Sequence, residues 1–252
     1  MAGVETIRAE CLSGFAHGFL GRRGGVSKGV VAGLNVGLGA DDEESAVAEN
    51  RRLAVQAVLP GAELVTVFQI HSADAVVVTK PWLQTDRPKA DALVTNQPGI
   101  LLGIVTADCA PILLGDHDAG VIGAAHAGWR GAHDGVIGAV VDAMVGLGAR
   151  RERIAAAIGP CIAQSSYEVD ERFRANFSGD DAQFFAPGQS GHFQFDLESY
   201  AAARLITAGV GTVEPLGLDT YTDERRFFSY RRATHLSQAT YGRQFSLIGL
   251  AE

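Results

Sequence analysis

Three side chains able to bind a soft or borderline metal each close an apolar, strand-like run. They are His71 after Val67-Phe-Gln-Ile, Cys109 after Ile104-Val-Thr-Ala-Asp, and His126 after Val121-Ile-Gly-Ala-Ala. The ends of neighbouring strands converge on one rim of a sheet, where open sites form in proteins that mix helices and strands. Two imidazoles and a thiolate suit Zn²⁺, and three protein ligands leave a fourth tetrahedral position for water or substrate. The trio is therefore a candidate metal centre. No CxxC or HExxH joins its members, and spacing alone fits a buried thiol and two hydrogen-bonded histidines as well. The hexapeptide His126-Ala-Gly-Trp-Arg-Gly131 tilts the balance toward a site rim. Its glycines let backbone approach closely, Trp129 offers a stacking face, and Arg130 can fork onto phosphate or carboxylate. A Gly-rich turn before a helix opening near Asp134 is compatible with that reading.

The elements that must position these residues are short. Leu64-Val-Thr-Val-Phe-Gln-Ile, Ala75-Val-Val-Val-Thr, Ile100-Leu-Leu-Gly-Ile-Val, Pro111-Ile-Leu-Leu and Gly120-Val-Ile-Gly-Ala-Ala are β-branched and bounded by Gly, Pro or Asp, as buried strands are. Helical periodicity is expected from Glu43 to Leu59, from Asp134 to Leu147 with Gly148 after it, and from Leu197 to Ala208 with Gly209 after it. Helical patterns follow groups of strands and do not alternate with each one. That order predicts an α+β fold with mixed sheets in layers. No linker or repeat divides the chain, so one domain over residues 1–252 is expected. The polar segment from Phe173 to Gln194 reads as a long surface loop tied down by Phe184, Phe185, Phe193 and Phe195.

Composition narrows the function classes. Hydrophobic residues make up 47% and charged residues 20%, and 21 Lys and Arg face 29 Asp and Glu, a formal charge of −8. With no basic cluster, nucleic acid is not an expected partner. Cys11, Cys109 and Cys161 are too few and too scattered for a disulfide framework, which fits a reducing cytoplasm. Met1 to Leu20 lacks a basic region and a long apolar stretch, so no secretory signal is expected. The longest apolar run breaks at Asp108, short of a membrane span. Nothing in the pattern dictates an oligomeric state.

A series of motifs carries a resemblance. In order they are Arg23-Gly-Gly-Val-Ser-Lys-Gly, Leu34-Asn-Val-Gly, Glu49-Asn-Arg-Arg, Gln69-Ile-His, Ala90-Asp-Ala-Leu-Val-Thr, Thr106-Ala-Asp-Cys-Ala-Pro, His126-Ala-Gly-Trp-Arg-Gly, Ile158-Gly-Pro-Cys-Ile, Tyr167-Glu-Val and Phe227-Phe-Ser-Tyr-Arg-Arg. Together they closely resemble the YfiH, or laccase-domain, family, which includes a peptidoglycan editing factor. The resemblance runs from about residue 15 to the C-terminus. It implies a single α/β/β/α layered domain, a zinc site made by His71, Cys109 and His126, and phosphorolysis of purine nucleosides. Methylthioadenosine phosphorolysis and adenosine deamination are further activities that it implies. Two departures stand out: Asp219-Thr-Tyr-Thr222 where the family has Cys-Thr-Tyr-Thr, and a longer loop from Ala233 to Gln238.

Counting tests the names. Multicopper oxidases rely on His-x-His pairs and a His₂Cys blue-copper centre. The chain has seven histidines and no such pair, so a four-copper laccase cannot be built from it, although a lone copper ion can occupy the His₂Cys set adventitiously. Nor does it carry the H-x-E and P-C-x-x-C of zinc nucleobase deaminases. For phosphorolysis, Arg23, Arg130 and Arg231 are candidates to neutralise phosphate, and Asn35 and Gln69 to bind ribose or base. Asp91 or Asp108 is a candidate to orient a ligand histidine or act as a base. The alternatives are an amidase that edits a peptidoglycan precursor, a Cys109 nucleophile activated by His126, and a non-catalytic zinc module.

Overall fold

The computed structural model describes residues 3–251 as two β-sheets packed face to face, with helices outside each. The five-stranded sheet runs β1 (Thr6–Ile7), β2 (Ala16–Leu20), β14 (Gln244–Gly249), β6 (Ile100–Thr106) and β3 (Glu63–Thr66). The six-stranded sheet runs β13 (Thr212–Pro215), β9 (Ala155–Ile158), β7 (Ala110–Asp116), β8 (Val121–Ala127), β5 (Ala92–Thr95) and β4 (Ala75–Val77). Both are mixed: β3 pairs parallel to β6, and β13 and β4 pair parallel to β9 and β5, while the remaining pairs are antiparallel.

Alternation along the strands builds the layers. In β6, Leu101 joins Phe245, Leu247, Ala54 and Val58 on the outer face, whereas Leu102 and Ile104 point between the sheets to meet Leu113 and Ile122. In β7, Leu113 faces that inner layer, and Ile112 and Leu114 face the other way. The outer face of the five-stranded sheet is covered by α1 (Glu44–Val58), which buries Val47, Asn50, Ala54 and Val58 at helical spacing. The other sheet is covered by α3 (Val136–Gly146) and α5 (Leu197–Thr207). The architecture is the α/β/β/α sandwich that the resemblance implied. No helix among the described residues is long and apolar enough to cross a membrane.

Three expectations about elements are corrected. The strand read through Ile70 stops at Thr66, because Gln69 leaves the ladder to bond Val105 of β6 and the Asp91 carboxylate draws the next residues away. The helix expected from Asp134 is α3, which begins at Val136, and a separate short helix stands before it. α2 (Trp129–Asp134) precedes α3, and Gly135 at φ 111° breaks the two apart. The expected loop after Phe173 contains β11 (Phe185–Pro187) and β12 (His192–Phe195), which form a small antiparallel sheet with β10 (Glu168–Asp170), next to α4 (Glu171–Arg174). Strands of three or four residues leave little periodic signal. Phe184, Phe185 and Phe195 are buried there, packed with Tyr167, Phe173, Phe177 and Tyr200.

Candidate metal centre and the cavity around it

Register brings two of the ligands together. Ala110 of β7 pairs with Ala127 of β8, which places Cys109 beside Gly128, just past His126. His71 arrives on the segment between β3 and β4, its ring 4.7 Å from that of His126 between centroids. The ligand atoms of His71, Cys109 and His126 all lie within 4.8 Å of one another. Tetrahedral zinc holds N and S donors at about 2.0–2.3 Å, so a small inward movement would complete coordination. Gly128 keeps the space open. A Cβ there would sit 2.8 Å from His71 Nδ1 and 3.0 Å from Cys109 Sγ.

Asp91, immediately before β5 and fully buried, organises both histidines. Its Oδ1 lies 2.7 Å from His126 Nδ1, and its Oδ2 accepts from Ile70 N at 3.1 Å and Ser72 N at 2.7 Å, the amides that flank His71. Burial alone would raise this carboxyl, but the bonds from His126 and Ser72 outweigh it and hold it at about 2. An ionised carboxylate only accepts, so His126 carries its proton on Nδ1 and turns Nε2 to the cavity. Burial would lower His126, yet the charges of Cys109 and Asp91 lift it to about 9. His71 and Asp108 are two of three non-glycine residues in the left-handed region among the described residues, at φ 60° and 87°. Such backbone costs roughly 1–3 kcal/mol each and clusters at functional sites.

The triad opens on a cavity of about 660 Å³. Its cationic lining comes from four different places: Arg51 on α1, Arg87 before β5, Arg231 on α6 (Tyr230–His235) and Arg243 before β14. No carboxylate lies within 4 Å of any of these guanidiniums among the described residues. Phe68, Trp129, Tyr167, Tyr230 and Tyr241 supply aromatic faces.

Of the residues expected from the sequence, His71, Cys109, His126, Gln69, Asp108 and Arg231 line the cavity, and Asp91 stands behind His126. Gln69 has both ends of its amide engaged with Val105. Asp108 does not reach a ligand histidine: its carboxylate accepts from Thr220 Oγ1 at 2.7 Å and Arg231 N at 2.6 Å, and burial raises its pKa. Three others lie outside the lining. Arg23 is tied to Glu5 and the Arg225 carbonyl, Arg130 is exposed on α2, and Asn35 is fully buried, where its Oδ1 accepts from Arg243 N. Arg51, Arg87 and Arg243 were not singled out by sequence reasoning. Arg51 had a signal, since it falls on the α1 stripe with Val47 and Ala54, where an arginine is out of place on an apolar face.

The family departures also find places. The Asp219 carboxylate accepts from Ala163 N, Ser166 Oγ, Tyr221 N and Thr222 Oγ1, clamping the segment after β9 to the loop before α6. Burial opposes its charge but those bonds prevail and lower its pKa from 3.8. Asp219→Asn is expected to cost about 1–3 kcal/mol of stability at neutral pH. The folded pKa is depressed, so the contribution is complete above 3.8 and is lost as pH falls through the folded value. The Tm difference between wild type and variant should shrink in acid, and a difference that stays constant with pH would refute the assignment. Ala233 to His235, expected as loop, are the last turn of α6, and Ser237, two residues beyond it, turns the chain at φ 52°.

Residues 16–251 match the family model described as multi-copper polyphenol oxidoreductase laccase. The chain belongs to that family. This laccase-family chain is 41% identical to a purine nucleoside phosphorylase of Deinococcus radiodurans, over 98% of its own length and 94% of that protein. It is 39% identical to purine nucleoside phosphorylase ORF3 of Streptomyces griseus, over 89% and 92%. Among solved structures, it matches NMB0706 of Neisseria meningitidis with a TM-score of 0.89 at 31% identity, covering 100% of both chains. YlmD of Geobacillus stearothermophilus gives 0.88 at 31%, covering 100% of this chain and 97% of that one. The family's copper name does not match the site in number. Among the described residues, His71, Cys109 and His126 are the one group of three His, Cys, Asp or Glu side chains close enough to share a metal ion.

Proposed function

We propose that the chain is a metal-dependent purine nucleoside phosphorylase that converts adenosine or inosine plus phosphate into free base and ribose 1-phosphate, and methylthioadenosine into adenine and 5-methylthioribose 1-phosphate, with Zn²⁺ as the resident ion. One observation carries the reading: guanidiniums without carboxylate partners line the same cavity as the His71, Cys109 and His126 donors. The names of the relatives support it. Two imidazoles and a thiol match zinc's preferences, and Gly128 leaves room for the ion. Bound there, zinc supplies Lewis-acid charge next to the reacting groups.

The chain's own residues do the rest. Arg231, on the wall that carries Cys109, holds phosphate, its main chain fixed by Asp108 and its Nη1 by the Glu168 carbonyl. With both oxygens engaged, Asp108 positions Arg231 and does not move a proton. The planar base packs on the aromatic faces. Attack of a phosphate oxygen at C1′ forms the new C–O bond as the C1′–N9 pair leaves with the base, through an oxocarbenium-like sugar, as in glycoside cleavage.

The test is product analysis on zinc-replete protein whose metal content has been measured. Adenosine with phosphate should give adenine and ribose 1-phosphate, and adenine release should cease without phosphate. Release that is indifferent to phosphate would make it a hydrolase, and inosine without free base a deaminase; either result overturns the reading.

A further inference from the structure

The cavity holds more positive charge than its co-substrate needs. A phosphoryl dianion carries about −1.5 to −2 at pH 7, whereas four guanidiniums face this space in a chain whose net charge is −8. They also fall into two groups. Arg231 sits beside Tyr167, 5.3 Å from the ring centroid, on the Cys109 side. Arg51 and Arg243 meet at Val36 and Gly37, and Arg87 lies over Phe68, close enough to Arg51 for their charges to repel.

Each of the three is fixed by contacts that leave its charge unbalanced. Arg51 donates to the Val36 carbonyl at 3.0 Å and Thr66 Oγ1 at 3.3 Å and lies over Phe245. Arg87 donates to the Gln84 carbonyl at 2.8 Å and covers Phe68. Arg243 donates to Tyr241 Oη at 2.7 Å and lies against Gly37, where a Cβ would come within 3.1 Å of its Nη1. Glycine at 37 lets the guanidinium lie along the backbone. Burial, and then the neighbouring charge of Arg87, lower Arg51 to about 10. Holding like charges together in a partly buried wall is unfavourable unless an anion joins them.

We propose that Arg51, Arg87 and Arg243 form a second anion subsite, so that the preferred occupant of the cavity is a nucleotide, a nucleoside that already carries a 5′ phosphate or diphosphate. This rests on the phosphorylase reading for the nucleoside half of the ligand. It adds that the sugar's far end is recognised by charge-assisted, forked hydrogen bonds.

Titration calorimetry of zinc-replete protein with adenosine, AMP and ADP tests it, because binding is read without turnover. AMP should bind at least ~10-fold more tightly than adenosine, in line with charge-assisted hydrogen bonding, and ADP at least as tightly as AMP. Inorganic phosphate should leave that advantage intact, since it occupies the Arg231 side. Arg87→Gln and Arg243→Gln, with folding checked by Tm, should bring AMP to near parity with adenosine. Equal affinity of AMP and adenosine for wild-type protein overturns the proposal whether or not the variants fold. Loss of the advantage on adding phosphate also overturns it, by showing a single subsite. Tight AMP binding without base release from any nucleoside would sink the phosphorylase reading and leave this subsite standing. Base release without an AMP advantage would do the reverse.

Discussion

Cys109→Ala is expected to lower kcat/KM for phosphorolysis by at least about 10³-fold, the scale of losing an electrostatic stabiliser of the transition state. The thiol is one of three donors, and it sits where the chain crosses from β6 in one sheet to β7 in the other. Alanine there leaves two imidazoles, which cannot hold zinc firmly without a third donor. The fold should survive, because Cys109 is only partly buried and its loss leaves a small gap at a cavity wall. Chelation makes the test decisive. Wild-type protein stripped of metal should show the same loss and recover with zinc, while the variant should not recover. Full activity after verified metal removal would dismiss the metal and leave a Cys109 nucleophile as the working idea.

The second large effect belongs to a residue that touches no substrate. Asp91→Asn is isosteric, yet it puts the wrong group against one of two partners. With its NH₂ toward His126, donor meets donor unless the imidazole shifts its proton to Nε2, the atom that faces the cavity. With its carbonyl toward His126, the NH₂ opposes the amides of Ile70 and Ser72. Either way one ligand histidine is misdirected, and zinc affinity should fall about 10- to 100-fold, as it does when such supporting partners are removed. Competition with a chromogenic chelator measures the affinity, and nitrogen NMR of His126 reports its tautomer. Unchanged affinity together with an unchanged Nδ1–H signal would rule out Asp91 as a positioning residue.

How much of this was legible in the sequence depended on distance along the chain. Strand ends were readable because the runs that became β6, β7 and β8 are apolar and bounded by Gly, Pro or Asp, and that reading placed Cys109 and His126 at a rim. What periodicity does not encode is which strands become neighbours. Asp91 was a candidate to orient a histidine, but its hold on both sides of His71 depends on β5 lying next to β8. The arginines show the limit more sharply. Arg23 and Arg130 stood out through their Gly-rich neighbours, whereas Arg51, Arg87 and Arg243 reach the cavity from a helix and two loops whose meeting is set by the sheets. The second clamp, Asp219, looked like a lost thiol until its four partners were seen.

Placing β14 between β2 and β6 has a consequence for biosynthesis. Strands at residues 16–20 and 100–106 leave the ribosome long before their shared neighbour at residues 244–249 exists. Until it arrives, both present unpaired edges, the kind of surface that captures other chains. Arg243 and Tyr241 arrive with the same late segment, so a nascent chain has neither a closed sheet nor a complete cavity wall. Premature termination before residue 244 should therefore yield aggregates and no weakly active fragment, and the cell gains its enzyme in a single late step of closure.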